Sequence, residues 1–308
     1  MAVALGSRGR EASRPGEIPS RGWLDIAKRV KRQIKEDKLS IIAAGVAFYG
    51  LLAVFPGLVA LVGIYGLLAD PAQIERQMSA VSAMLPPQAA EVLVTQLHDL
   101  ASTDRTALGF GAIAGLLLAL WSSSAAVRTL MEALNVVYDE EESRGFIRFY
   151  GTALLLTLAG IVGVILAIGL VVALPAVLGL AGLSSVVDIL VRIVRWPVLA
   201  LLAIVGFAVV YRYGPSRREP RWRWVSWGAT VAVALWIVGS ALFSLYVTRF
   251  GNYNETYGAA GAVVILLMWF LLSSYAILIG AEINAEMERQ TKKGLQKAYA
   301  ADTVSEPK

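Results

Sequence analysis

From Ser40 onward, apolar side chains run in stretches far longer than one buried helix face requires. Six such stretches, over about 40–69, 107–137, 146–174, 189–213, 225–247 and 258–283, each reach bilayer-spanning length. A helix of about 20 residues crosses the ~30 Å hydrocarbon layer, and in lipid every backbone polar group has to be satisfied internally. The pattern predicts an all-α polytopic membrane protein with six transmembrane helices in a single membrane domain over 39–288. The intervals Leu178–Val187 and Arg249–Tyr257 are too short for domains, so spans three and four, and likewise five and six, read as helical hairpins.

Two segments are amphipathic rather than apolar. Over 1–38 the basic residues Lys28, Arg29, Lys31, Arg32, Lys35 and Lys38 interleave with Trp23, Ile26, Val30 and Ile34. This predicts a basic amphipathic arm lying against anionic headgroups, its apolar stripe in the interface. Between the first two spans, Ile74, Met78, Val81, Met84, Val92, Leu93 and Leu97 recur among charges and are divided by Pro86-Pro87. They predict two short amphipathic helices on the outer face. Residues 289–308 form a polar tail.

Composition agrees with the pattern: 57% of residues are apolar and 17% charged, whereas soluble domains are nearer 45–50% and about 25%. The surplus of apolar surface has to face lipid. Orientation follows from the basic residues. With the N-terminus inside, 23 of the 28 lysines and arginines fall on the cytoplasmic side, the dominant topology signal. Both termini are then cytoplasmic. The net charge of +5 is a consequence of topology, and no nucleic-acid partner is expected. The chain has no cysteine and one histidine, His98, which removes disulfides and thiolate sites and leaves histidine metal sites and Ser-His-Asp triads almost without raw material. No cofactor, metal or catalytic residue is predicted.

The polar residues within or beside the spans are the candidates for function, since each is costly in lipid unless paired, wet or near an interface. Arg128 and Glu132 lie four apart, share a helix face and have the spacing of a pair; Asn135 follows on the same span. Glu282, Asn284 and Glu286 stand near the end of the sixth span, and Tyr49 in the first completes the set. Convergence of Tyr49, Arg128, Glu132 and Glu282 on a recess would indicate substrate binding by Tyr49, Arg128, Glu132, Asn135, Glu282 and Asn284. Sealed pairs in a dense bundle would indicate a scaffold. In the loop YRYGPSRREPRWRWVSW, Arg217, Arg218, Arg221, Trp222, Arg223 and Trp224 read as interfacial anchors. Pro56 and Pro175 are candidate helix kinks. The acidic run Asp139–Glu142 reads as a solvated turn, and the small-residue spacings Ala43/Ala47, Gly111/Gly115 and Gly258/Gly261 as packing signals.

Three blocks carry a family resemblance: SIIAAGVAFYGLLAVFPGL at Ser40–Leu58, VYRYGP at Val210–Pro215, and YNETYGAAGAVVILLMWFLLSSYAILIGAEINAE at Tyr253–Glu286. Together they resemble the YihY/BrkB family over about residues 20–290. The resemblance implies a bacterial inner-membrane protein of six spans. The family has carried a ribonuclease BN label, a link to virulence and serum resistance, and suggestions of transport, with lipids among the cargo. Phosphodiester hydrolysis needs metal-binding carboxylates or a histidine acid–base pair in a wet site, and this chain's sole histidine lies in the outer segment. The expected function is therefore a transporter or lipid-handling protein for an amphipathic substrate in contact with membrane lipids. The alternative is a non-transporting envelope scaffold, and a membrane hydrolase comes third.

Overall fold

A computed structural model of the chain describes residues 12, 15–68, 109–173, 185–217, 222–250 and 253–290. Among the described residues there are seven α-helices and no strand. They are α1 (Ser20–Glu36), α2 (Leu39–Leu68), α3 (Gly109–Val137), α4 (Phe146–Ile168), α5 (Ser185–Tyr213), α6 (Trp222–Phe250) and α7 (Tyr253–Gln290), with a π-helical turn, Gly169–Ala173, continuing α4. The amphipathic segment expected over 70–106, with His98, lies outside the described residues, as do Pro175 and residues 291–308 of the tail.

Four helices have segments long and apolar enough to cross a membrane: Phe146–Val171, Ile193–Tyr213, Ser226–Arg249 and Gly261–Gln290. A fifth candidate is the pair α1 and α2, which meet at 67°. Large apolar side chains stand outward along these helices, among them Leu155, Val162 and Leu166 on α4, Leu201 and Val205 on α5, and Val238 and Leu242 on α6. Side chains of this kind are placed for contact with lipid. Pro56 lies inside α2, which continues through it as one helix.

α7 is the organising element, packing against α6, α2, α1 and α3. The core around it contains Leu39, Ala43 and Val46 of α2, Leu134 and Val137 of α3, Tyr211 of α5, Ala229 and Ala232 of α6, and Leu278 and Ala281 of α7. Small residues let backbones approach closely where lipid supplies no hydrophobic drive between helices. The closest approach joins α6 to α7. A Cβ added at Gly228 would fall 2.3 Å from the Gly280 carbonyl oxygen and from the Asn284 amide, and one at Gly280 would fall 2.6 Å from Ala232 Cβ.

The structure differs from the sequence expectation at α1. Its apolar stripe does not face headgroups: Ile26 and Val30 are buried against Met287, with Trp23, Ile34 and Ile283 packed around them. α7 offers a complementary apolar patch at its end, so protein takes the place that lipid was expected to occupy. Lys28, Lys31, Arg32, Lys35 and Lys38 stay exposed, leaving α1 with a basic outer face.

Candidate functional site

The last turns of α7 bring Glu282, Asn284, Glu286, Glu288, Arg289 and Gln290 to one end of the bundle, and four of these, Glu282, Asn284, Glu286 and Gln290, are buried. Such a concentration of polar groups holds together only if it is extensively partnered. From α1, Arg29 donates to the Glu286 carboxylate and, at 2.6 Å, to Gln290 Oε1. Arg289 donates to Glu286 Oε1 at 2.7 Å and also to Asp139, beyond the end of α3. Arg217, after α5, donates to Glu288 and lies 4.5 Å from the centroid of the Tyr138 ring. Asn284 Oδ1 accepts the Gly228 backbone N–H at 2.9 Å. Helices α1, α3, α5 and α6 are thus each tied to α7 at the same end.

A second knot closes the turn from α3 into α4. Asp139 takes up a left-handed conformation, φ 50°, which aspartate tolerates better than most residues. Glu142 then accepts two hydrogen bonds from the Arg144 side chain, at 2.6 and 2.8 Å, and one from Asn135 Nδ2 at 3.0 Å. The Arg144 guanidinium holds the Glu142 carboxyl down to about 2. Asn135 uses its other amide atom to accept the Ser216 N–H at 2.7 Å. Arg144 also reaches the carbonyls of Tyr213 and Gly214, at 3.0 and 2.8 Å. The acidic run is therefore more than a solvated turn: it is exposed, yet Asp139 and Glu142 are both ion-paired, because arginines from α7 and from the turn itself fold back over it.

Arg128 does not reach Glu132, which is exposed on the next turn of α3. It turns back toward Ser124 Oγ and the Trp121 carbonyl and lies beside two aromatic rings, 5.3 Å from the Trp121 centroid and 5.0 Å from that of Tyr150 on α4. The two rings stack on each other at 4.9 Å and 6°. The physical reason is that an aromatic pair spanning α3 and α4 offers the guanidinium flat, electron-rich faces. Among the described residues no carboxylate pairs with Arg128. Leu117, Leu118 and Leu155, on the same two helices, are exposed.

The predicted site residues thus separate. Tyr49 is 43% exposed on α2, edge-on to Phe48 at 5.6 Å. Asn135 and Asn284 hold backbone N–H groups, and Glu282 is sealed with 0% exposure. No contact joins Tyr49, Arg128 and Glu282. Of the expected anchors, Arg217 is turned inward to Glu288, a half-buried carboxylate that takes the place of headgroups; Arg218 and Arg221 lie outside the described residues, as do the side chains of Trp222, Arg223 and Trp224. Among the described residues no group of three or more histidines or carboxylates is placed to hold a metal ion. Sequence reasoning passed over Asp37 and Tyr138, and read Arg29 only as part of the basic arm. Asp37 alone carried a signal, as an acid following a basic helix just before the first apolar stretch.

Residues 30–303 match the family model described as virulence factor BrkB. The chain is 32% identical over 255 residues to YfkH of Bacillus subtilis (strain 168), named as a ribonuclease-like protein, with 81% of this chain and 90% of YfkH covered. It is 29% identical over 220 residues to a UPF0761 membrane protein of Idiomarina loihiensis, covering 70% and 73% of the two chains. A UPF0761 membrane protein of Photobacterium profundum is 28% identical over 264 residues, covering 84% and 79%. No solved structure matches the chain.

Proposed function

Since the chain belongs to the virulence factor BrkB family of membrane proteins, we propose that it works in the bacterial inner membrane, without catalysis, as a transporter or lipid-handling protein for an anionic amphiphile. In the proposed orientation the end of the bundle that gathers α1, the α3–α4 turn and the end of α7 faces the cytoplasm. The basic outer face of α1 supports that side, because lysine and arginine are retained where anionic lipid and the cytosol lie.

One observation carries the substrate reading: the Arg128 guanidinium, about 14 Å from the end of α3 at 1.5 Å per residue, with aromatic rings beside it and, among the described residues, no carboxylate to neutralise it. A charge at such depth is retained where it has work to do. Trp121 and Tyr150 stabilise the cation while leaving N–H donors for a phosphate or carboxylate oxygen, and the exposed leucines nearby suit an acyl chain. The names of the relatives do not decide chemistry: one is called ribonuclease-like and two are called only membrane proteins.

The test uses protein reconstituted in liposomes with fluorescent phosphatidylglycerol or phosphatidylethanolamine in one leaflet. The wild type should redistribute the anionic probe faster than protein-free liposomes do. Arg128→Ala should lose about tenfold of that rate, the ~1.4 kcal/mol of one charge-assisted contact, while melting like wild type. Redistribution no faster than in empty liposomes would overturn transport. That result would favour a scaffold, a reading for which the ties from α1, α3, α5 and α6 onto α7 are the specific support.

A further inference from the structure

Two carboxyl groups meet where the chain turns from α1 into α2. Asp37 caps α1, its backbone N–H pointing at the carbonyls of Gln33 and Lys35. Lys38 follows in a left-handed conformation, φ 51°, and the two helices diverge at 67°. That elbow brings the Asp37 side chain within hydrogen-bonding reach of Glu282 on α7. Glu282 has 0% exposure. Among the described residues neither of its oxygens, nor Asp37 Oδ2, has an N–H or O–H donor.

The surrounding charges do not resolve this contact. Arg289 lies on the same stretch of α7 but is engaged by Glu286 and Asp139, and Arg29 is engaged by Glu286 and Gln290. Glu36 and Asp139 act on Asp37, Glu286 acts on Glu282, and Tyr138 faces Glu282 from the end of α3. All but the arginines add negative charge or a neutral phenol. Two ionised carboxylates facing each other in a sealed space repel strongly, and a buried charge left without a donor is costlier still. A proton on one of them makes it a donor to the other and removes both costs. Burial pushes the Asp37 carboxyl above its ordinary range, in keeping with that arrangement.

We propose that Asp37 and Glu282 form a proton-binding site, a carboxyl–carboxylate pair sharing one proton, loaded from the α1 end of the bundle through the half-exposed Asp37. When the pair is loaded it carries a single negative charge. Unloading breaks the O–H bond, passes the proton to water at Asp37 and leaves two carboxylates pressed together at the elbow. The site exists whether or not an amphiphile is carried; if transport holds, it supplies the coupling ion.

The decisive measurement is the infrared carbonyl absorption of protonated carboxyl groups, followed over a pH titration of the full chain in lipid nanodiscs. The wild type should keep a protonated carboxyl at about pH 7, well above the ordinary carboxylate range. That absorption should vanish in the near-isosteric Glu282→Gln, and in Asp37→Asn it should shift in frequency and titrate at a different pH. Absence of the band from the wild type at neutral pH would overturn the proposal, as would its persistence unchanged in Glu282→Gln. Neither readout involves a transported substrate, so failure here is distinct from failure of the transport reading.

Discussion

Substituting Gly280 by alanine tests whether the α6–α7 contact is as close as the structure has it. The added methyl would stand 2.6 Å from Ala232 Cβ, 2.6 Å from the Tyr211 hydroxyl and 2.7 Å from the Gly228 carbonyl oxygen. Two of these neighbours are fixed to the α6 backbone, so α6 has to retreat by roughly 1 Å to restore ordinary contact, which forfeits a quarter to a half of the dispersion energy along the seam. Overpacking of this kind costs about 1–3 kcal/mol. Displacing the Tyr211 hydroxyl from the Ile277 carbonyl, a 2.6 Å hydrogen bond, adds about 1 kcal/mol. A total of about 2–4 kcal/mol corresponds to a fall of roughly 4–16 °C in melting temperature, at about 2–4 °C per kcal/mol for a large chain. The assay is loss of the monodisperse peak on heating in mild detergent. Gly160→Ala, where a Cβ would meet nothing within 4 Å, is the control and should melt at or above wild type. Tyr211→Phe removes one of the three clashing atoms, so the double variant should be less destabilised than the sum of the singles. A Gly280→Ala protein that melts with the wild type would refute the close crossing.

Two further outcomes follow from the turn between α3 and α4. Glu142 has its folded-state carboxyl lowered to about 2 by Arg144, so its stabilising contribution is fully present above the ordinary carboxylate range and is lost as pH falls toward 2. The melting-temperature gap between wild type and Glu142→Gln should accordingly be constant from neutral pH down to about pH 5 and close below that; a gap independent of pH would contradict the pairing. Asn135→Ala leaves the buried Ser216 N–H without its acceptor and should cost about 1–3 kcal/mol, measured by the same thermal assay, while Glu132→Ala on the exposed face of α3 should be near neutral.

The helices were legible because apolar runs of bilayer length leave the backbone almost no alternative, and the three sequence blocks identified the family that the residue 30–303 match establishes. What surrounds each polar residue was less legible. Arg128 and Glu132 have the spacing of a pair, but the aromatic partner that draws Arg128 away comes from Tyr150 on the next helix, and no local pattern reports that stack. The apolar stripe of α1 fits a headgroup layer or the Met287 face of α7 equally well, since periodicity reports that a stripe is covered and not what covers it. Asp37 and Glu282 are 245 positions apart; only the fold could bring them together. Asn284 looked like a polar group in search of a ligand, and its carbonyl oxygen holds the Gly228 amide at a glycine-only crossing.

In the proposed topology α1, the α3–α4 turn, the start of α6 and the end of α7 share the cytoplasmic end of a bundle that spans the membrane. The chain has no cysteine, so single cysteines at the exposed positions Lys35, Glu141 and Arg148 and at Ser184 and Asn252 can be probed with an impermeant maleimide in intact cells and in inverted vesicles. The first three should label from the cytoplasmic side only, and the last two only from the other side. Labelling of Lys35 and Glu141 from opposite faces, or of all five from both, would contradict it.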